Sequence, residues 1–451
     1  MPKPRSWSRS SSGPGCADRT LDVPAAAAGV GRPGLPAAGS GAGRYGDTGR
    51  YWRGWATTGE PAVPRVWRRP PGRLRKQMPC DRRHHMNLRY GMNPDQRPAT
   101  ATAIDPARLP FRFLHGDASY INVLDAAAGW QLVREAAEAL GRPAAASVKH
   151  VSPAGAATAG PVDATMARTY RLDPTTTGAL TTAYVRARDA DPKSSYGDFV
   201  AVSEPVDAEL ADLLRRLVSD GIVAPGYEPG VVATLAAKKS GRFLVVEADA
   251  GFEPPPTETR DVYGLRLTQP RDDVALTRDL VADPRLPTSA VDDLLLGLIV
   301  VKHTQSNSVA YLRDGMALGI GAGQQSRVDC TRLAGTKVDT WWLRRHPIVG
   351  GLADDASARV QDVVDRQIRA TTLDGGPLGT VERAGWLRQL DRVAFVSDGA
   401  LPFPDNVEQA ARHGVRYIAE PGDSIRSTDV LAESRHRGIT LIRTGIRLFR
   451  H

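Results

Sequence analysis

The sequence predicts an α/β protein made of two copies of one unit behind an irregular tail, and three observations carry that expectation. Residues 1–85 hold 16 Lys/Arg against 5 Asp/Glu, so the net charge of +9 over 451 residues belongs wholly to the first fifth; residues 86–451 carry 43 against 45. From Met86 onward, helical stripes alternate with short apolar runs of strand length. The triplet Val148-Lys149-His150 returns as Val301-Lys302-His303, each time after an apolar lead-in and before a polar stretch.

Composition excludes several classes. No run approaches the roughly 18 apolar residues of a membrane-spanning helix; the longest is Leu294–Val301. Three cysteines, Cys16, Cys80 and Cys330, make neither a disulfide framework nor a cysteine-based zinc site, which fits a reducing, cytoplasmic setting. The tail, residues 1–85, has 13 Gly and 11 Pro with no Ile and no Phe, too little apolar area to offset chain entropy, so disorder is expected. Three readings of it stay open. The coding start is misplaced, with Met78 and Met86 just upstream of the first ordered-looking segment; the Arg-rich, acid-poor start is a targeting segment; or its arginines with Trp52, Trp55 and Trp67 contact RNA or another polyanion. For the remaining residues the slightly acidic balance makes nucleic acid an unexpected partner.

The elements follow in order. Ala126–Leu140 places Trp130, Leu132, Val133, Ala136, Ala137 and Leu140 on one helical stripe, which Gly141 and Pro143 end. Ala144–Val148 is a strand running into Lys149 and His150, with a turn expected at Ser152-Pro153-Ala154-Gly155. Such a corner is either an active-site edge, since open α/β sheets bind ligands at the carboxyl ends of strands, or an ordinary turn. Asp292–Val301 reads as a helix-to-strand run that ends in the second Lys-His pair, making the two Val-Lys-His triplets candidate equivalent corners. Leu318–Arg327 is glycine-rich but lacks a full G-x-G-x-x-G and a P-loop lysine; its glycines either bring backbone amides to an anion or make a tight turn. Strands at Val393–Asp398, Tyr417–Ala419 and Ile439–Ile442, with a helix from about Asn406 to His413, keep the α/β texture to the end.

At these residues the chain resembles the formyltransferase part of the aminoimidazole carboxamide ribonucleotide (AICAR) transformylase/IMP cyclohydrolase family. The strings are LRYGMNP from Leu88, KHVSPAGAA from Lys149, SSYGDFVA from Ser194, SDGIVAPGY from Ser219, TQSNS from Thr304 and GIGAGQQSR from Gly319, then CTRLAG, SDGALPF and the closing RLFRH. They cover nearly all of 86–451. The resemblance implies two cytidine-deaminase-like three-layer α/β/α units, at 86–270 and 285–451, without the deaminases' zinc: no P-C-x-x-C occurs, and no metal is expected. The family's cyclohydrolase region has no counterpart in the first 85 residues, so a transformylase with a separate IMP cyclohydrolase is expected.

The resemblance further implies formyl transfer from 10-formyltetrahydrofolate to the 5-amino group of AICAR. That amine is a poor nucleophile, so a base, an oxyanion partner and an acid for the leaving nitrogen are needed. An imidazole suits the first and an ammonium the other two. His150 is the implied base and Lys149 its electrostatic partner. Neighbours on a strand point to opposite faces, so the strand must end or twist there for both to reach one substrate. Arg89, Tyr90, Gly197, Asp220, Asn307 and Arg447 match substrate-contacting positions, the arginine forks suiting phosphate. Arg327, Val328, Asp405, Ser424 and Ile425 match folate-contacting positions. For Lys302-His303 a solvated strand end is the better reading, because the match there runs through Asn307. Two departures stand out: Asp95 replaces the family's usual His, and Ala400 replaces an aromatic that lies against the substrate base, which predicts weaker substrate binding. The resemblance also implies a homodimer whose sites are shared, Asn307 crossing from one copy to the other. The rivals are formyl activation by ATP and formate, for which no phosphate-cradling motif exists, an RNA-binding module, and an altered homologue that binds a purine-pathway nucleotide without turnover.

Overall fold

The computed structural model describes residues 85–451 apart from 356 and 373–375. The expected disordered tail lies outside the described residues except for His85. Strands β1 (His85–Leu88) and β2 (Ala99–Thr102) pair with each other and lead to β3 (Phe111–His115). Next come α1 (Tyr120–Leu140), the hairpin β4 (Ala144–Lys149) and β5 (Ser152–Thr158), α2 (Ala164–Tyr170), α3 (Ala179–Ala190), β6 (Asp198–Val202), α4 (Ala208–Arg216), β7 (Ser219–Ala224), α5 (Val231–Ala236) and β8 (Leu244–Ala248). An exposed antiparallel pair, β9 (Thr257–Val262) and β10 (Leu265–Pro270), precedes α6 (Thr288–Lys302), the hairpin β11 (Val309–Arg313) and β12 (Met316–Gly321), and α7 (Arg327–Leu343). Helices α8 (Pro347–Gly350), α9 (Val360–Ala370) and α10 (Thr380–Leu387) are followed by β13 (Val393–Ser397), α11 (Asp405–Ala411), β14 (Val415–Glu420), α12 (Ser427–His436) and β15 (Thr440–Arg443).

Eleven strands form one sheet in the order β15-β14-β13-β11-β12-β5-β4-β6-β7-β8-β3. Read outward from its middle, β5-β4-β6-β7-β8 and β12-β11-β13-β14-β15 have the same plan. In each, an antiparallel hairpin is joined by a third antiparallel strand and then by two parallel ones. The two halves meet antiparallel where Met316 pairs with Ala157. Strand residues alternate between two cores, as a period of two requires. Ala146, Val148, Phe199 and Ala201 face α1 and α6, and Ala145, Val200, Val202 and Phe395 face α3, α4, α7 and α11. The layers are therefore helix, sheet, helix, repeated, as the sequence led us to expect.

Local reasons explain the boundaries. Helix α1 starts at Tyr120 because Ser119 and Asn122 form a reciprocal cap, and it stops at Gly141, whose φ is 67°. Three expectations need correction. The hairpin turns at His150-Val151, not at Ser152–Gly155, which is strand. Gly155 is there because a Cβ would stand 2.0 Å from the Ala187 carbonyl of α3. Second, 292–301 is helix throughout: α6 packs against α1 on one side and β11 and β13 on the other, so it is apolar all round, and such a run cannot be told from a strand by periodicity. Third, the two Val-Lys-His triplets are consequently not equivalent, since Lys149 ends a strand and Lys302 a helix. The counterpart of His150-Val151 is the turn Asp314-Gly315 between β11 and β12. In the glycine-rich segment, Gly319 and Gly321 lie inside β12, where a Cβ would come within 2.4 Å of the Ala334 carbonyl and 2.7 Å of the Cys330 carbonyl. They let α7 lie close rather than cradle an anion.

Candidate active site

Lys149 is the last residue of β4 and donates from Nζ to the carbonyls of Tyr196 (2.5 Å) and Gly197 (3.2 Å). Gly197 has φ 71°, and a Cβ there would lie 3.2 Å from Lys149 Nζ and 3.7 Å from Asp220 Oδ1. Lys149, Gly197 and Asp220 thus converge. His150 is exposed in the hairpin turn, with φ 53° followed by 64° at Val151, so the extended strand ends at Lys149 and its alternation of faces does not continue to His150. The candidate corner lies at the carboxyl end of one strand and the amino ends of its neighbours. Strand β4 is antiparallel to β6, so its carboxyl end abuts the amino ends of β6 and β7, where Gly197 and Asp220 stand.

Arg89 follows β1, and its guanidinium lies 4.9 Å from the Tyr90 ring centre. It borders a small, open cleft together with Asp117, Asn122, Asp220, Lys239, Arg242 and Leu244, so Arg89 and Asp220 share one recess. Lys239 is paired with Asp220. Its neighbour Lys238 donates to the Ser219 carbonyl and hydroxyl, both at 3.2 Å, and burial pushes its ammonium down to about 8. Sequence reasoning passed over Asp125. This residue of α1 is buried and accepts from the Val151 amide at 2.7 Å. Burial raises its carboxyl above the ordinary value, against the pull of the Val151 amide and of the His150 and Lys149 charges. The signal was present as a carboxylate inside an apolar helical stripe.

A second group lies along the same sheet edge. Asn307 donates from Nδ2 to the Gln324 carbonyl at 2.8 Å, and its Oδ1 accepts from Arg327 Nη2 at 2.7 Å. Arg327 is buried, donates to the Ser308 carbonyl at 3.1 Å and forms an ion pair with Asp398. Asp398 also binds the Ser306 hydroxyl and the Ser308 amide. The C-terminal segment is pinned beside them, the Leu448 amide on the Asp398 carbonyl at 2.9 Å and the Ser306 amide on the Arg450 carbonyl at 2.9 Å, leaving Arg447 exposed nearby. Ser424 donates to the Leu401 carbonyl at 3.0 Å, Ile425 is fully exposed, and Asp405 opens α11, where it accepts from Asn406. Val328 is half-buried on the first turn of α7. Phe403 and Phe449 are also exposed, and Phe449 lies against Gly399, next to Ala400. Buried Glu420 ties this loop together by accepting from the Leu401 and Gly422 amides, and burial raises its carboxyl. Asp95 is exposed in the loop that the Gly91 amide closes on the Gln96 carbonyl, following Tyr90.

Lys302 and His303 belong to neither group. Lys302 Nζ is 2.9 Å and His303 Nε2 is 2.8 Å from the Glu135 carboxylate of α1, and Arg450 Nη1 meets His303 Nδ1 at 3.0 Å. Burial lowers His303, so the pair is a buried clamp between α1, α6 and the C-terminal segment. Among the described residues no helix is long and apolar enough to cross a membrane.

Residues 63–337 match the family model described as AICARFT/IMPCHase bienzyme. The chain belongs to the AICARFT/IMPCHase family. Among its curated relatives are bifunctional purine biosynthesis proteins PurH. That of Mesorhizobium japonicum is 31% identical over 86% of this chain and 60% of its own length. Those of Roseobacter denitrificans (31%) and Cereibacter sphaeroides (32%) each match 81% of this chain and 59% of their own length. The chain therefore spans about 60% of the length of the AICARFT/IMPCHase relatives it matches.

Proposed function

We propose that this chain is a formyltransferase of purine biosynthesis that moves the formyl group of 10-formyltetrahydrofolate onto the 5-amino group of AICAR, in the cytoplasm. The observation that supports the reading most is the convergence of Lys149, Gly197 and Asp220 at one corner, with His150 the next residue in the hairpin turn. Arg89 sits in the adjoining cleft, where a phosphate would find a guanidinium. In this reading the amine attacks the formyl carbon while the His150 imidazole takes its proton. The Lys149 ammonium stands by the oxygen as it becomes anionic. The tetrahedral intermediate then expels the folate nitrogen, which takes up a proton from the ammonium or the imidazolium. Exposed Phe403, Ile425 and Phe449, around a loop held by Ser424 and Glu420, suit the flat, partly apolar folate.

The two topologically equivalent halves, 86–270 and 285–451, are proposed as its domains. We also assign the working form to a homodimer. Lys149 and Asn307 are separated by β5 and β12 within one chain, about 14 Å at ~4.8 Å per strand, so a second copy is the simplest way to bring an Asn307 to a Lys149. The test is to incubate the protein with AICAR and 10-formyltetrahydrofolate without ATP and follow tetrahydrofolate release. No release from the wild type would favour a homologue that binds without turnover, and undiminished release from His150→Ala would remove His150 from its role.

A further inference from the structure

The duplication supplies an internal comparison for the corner that carries His150. Asp125 is the sixth residue of α1 and Asp293 the sixth of α6, and both are buried. Each reaches the two-residue turn of the hairpin that follows its own helix. Asp293 uses both oxygens, Oδ1 accepting from the Gly315 amide at 2.6 Å and Oδ2 from the Asp314 amide at 2.9 Å. Asp125 uses Oδ1 alone, on the Val151 amide at 2.7 Å.

The two turns share a backbone shape and differ in what it demands. Both have consecutive residues of positive φ: 55° and 76° at Asp314-Gly315, 53° and 64° at His150-Val151. Asp-Gly is the pair that such a turn prefers, whereas a β-branched Val in the left-handed region is a true outlier. Backbone of that kind persists only where its surroundings over-determine it, and it gathers at functional sites. The copy with the compliant turn has two anchoring bonds, and the copy with the strained turn has one. The charges of His150, Lys149 and Asp220 act on the Asp125 carboxyl, so the anchor of the strained turn and the candidate residues are electrostatic neighbours.

We propose that Asp125 is a positioning residue for the candidate base: anchored on α1, its carboxylate holds the strained His150-Val151 turn through the Val151 amide and thereby fixes the imidazole beside Lys149. This rests on the assignment of His150 as base. Substrate binding would be spared, because the phosphate and folate contacts lie elsewhere on the edge.

The experiment measures kcat and both KM values in the transfer assay on the full chain for Asp125→Ala, Asp125→Asn, Asp293→Ala and the double variant Asp125→Ala/Val151→Gly. Misplacing a reacting group by an ångström costs on the order of a hundredfold, so Asp125→Ala is expected to lose at least about tenfold in kcat with KM values within about threefold. Asp125→Asn keeps an acceptor oxygen and loses less. Glycine accepts positive φ without strain, so Val151→Gly restores part of the kcat lost in Asp125→Ala. Asp293→Ala, the same lesion in the other copy, stays within about twofold of wild-type kcat. Wild-type kcat in Asp125→Ala, equal losses in Asp125→Asn and Asp125→Ala, an equal loss in Asp293→Ala, or no recovery on adding Val151→Gly would each overturn the proposal. His150→Ala, run alongside, separates the failures: if it retains wild-type transfer, the base assignment falls, and if it alone is inactive, only the role of Asp125 does.

Discussion

Replacing Gly197 by alanine tests the corner most directly, because two independent costs meet there. The backbone at Gly197 has φ 71°, and holding an L-residue in that region costs roughly 1–2 kcal/mol. The new methyl would also stand 3.2 Å from Lys149 Nζ, so the ammonium must retreat by a few tenths of an ångström or give up a carbonyl, of Tyr196 at 2.5 Å or Gly197 at 3.2 Å. The first cost appears in stability, as a fall of about 2–6 °C in Tm. The second appears in rate: if the ammonium stabilises the developing oxyanion, displacing it lowers kcat by about tenfold to a hundredfold. Tetrahydrofolate release at saturating substrates measures the rate, and a thermal melt of the same sample measures the stability. A lowered Tm with kcat within about twofold of wild type would refute the assignment of Lys149, since its ammonium would have been displaced without consequence.

Four further outcomes are expected. Arg188→Leu strands the fully buried Asp198 carboxylate, whose ion pair at 2.8 Å is lost, and should destabilise the protein by about 3–5 kcal/mol in denaturant titrations. Burial raises Asp293 from 3.8 to about 7, so the unfolded chain releases its proton first. Its contribution is therefore intact below about pH 4 and is lost as pH rises towards 7. The stability of the wild type relative to Asp293→Asn should fall across that window by up to about 4 kcal/mol, at ~1.36 kcal/mol per pH unit, by denaturant titration at each pH. Ala400→Phe should tighten substrate binding by about 2- to 12-fold, the equivalent of an aromatic contact of 0.5–1.5 kcal/mol, in calorimetric titration. Mixing His150→Ala with Asn307→Ala subunits should restore about a quarter of wild-type transfer if sites are shared across a two-fold dimer, and nothing if each chain builds its own.

Much of the fold was legible because it is written in local pattern. The stripe around Trp130, the stop at Gly141 and the short apolar runs near 393 and 417 each matched an element to within a few residues. The failures share a physical cause. Leu294–Val301 looked strand-like because every side of α6 is covered, by α1 on one side and the sheet on the other, and burial on all sides erases periodicity. Pro153 and Gly155 looked like a turn because small residues mark both turns and close packing, and only the Ala187 carbonyl overhead separates the two. The repeated Val-Lys-His suggested a duplication that exists, but through the wrong residues. The true counterparts, Asp125 with Asp293 and His150-Val151 with Asp314-Gly315, share a carboxylate and a backbone shape rather than a string of letters.

By itself the sequence determined the α/β class, the charge asymmetry between tail and remainder, and the family through its strings, and it offered the residues proposed to move a formyl group. Only the tertiary structure decided which of them meet. It put Lys149, Gly197 and Asp220 together at the amino ends of β6 and β7, locked Arg327 into an ion pair with Asp398, and turned Lys302-His303 into a clamp on Glu135. Helix and strand propensities act over a few neighbours, whereas the direction of β4 against β6, and with it the edge on which the candidate residues gather, is set by pairing between residues some 50 positions apart along the chain.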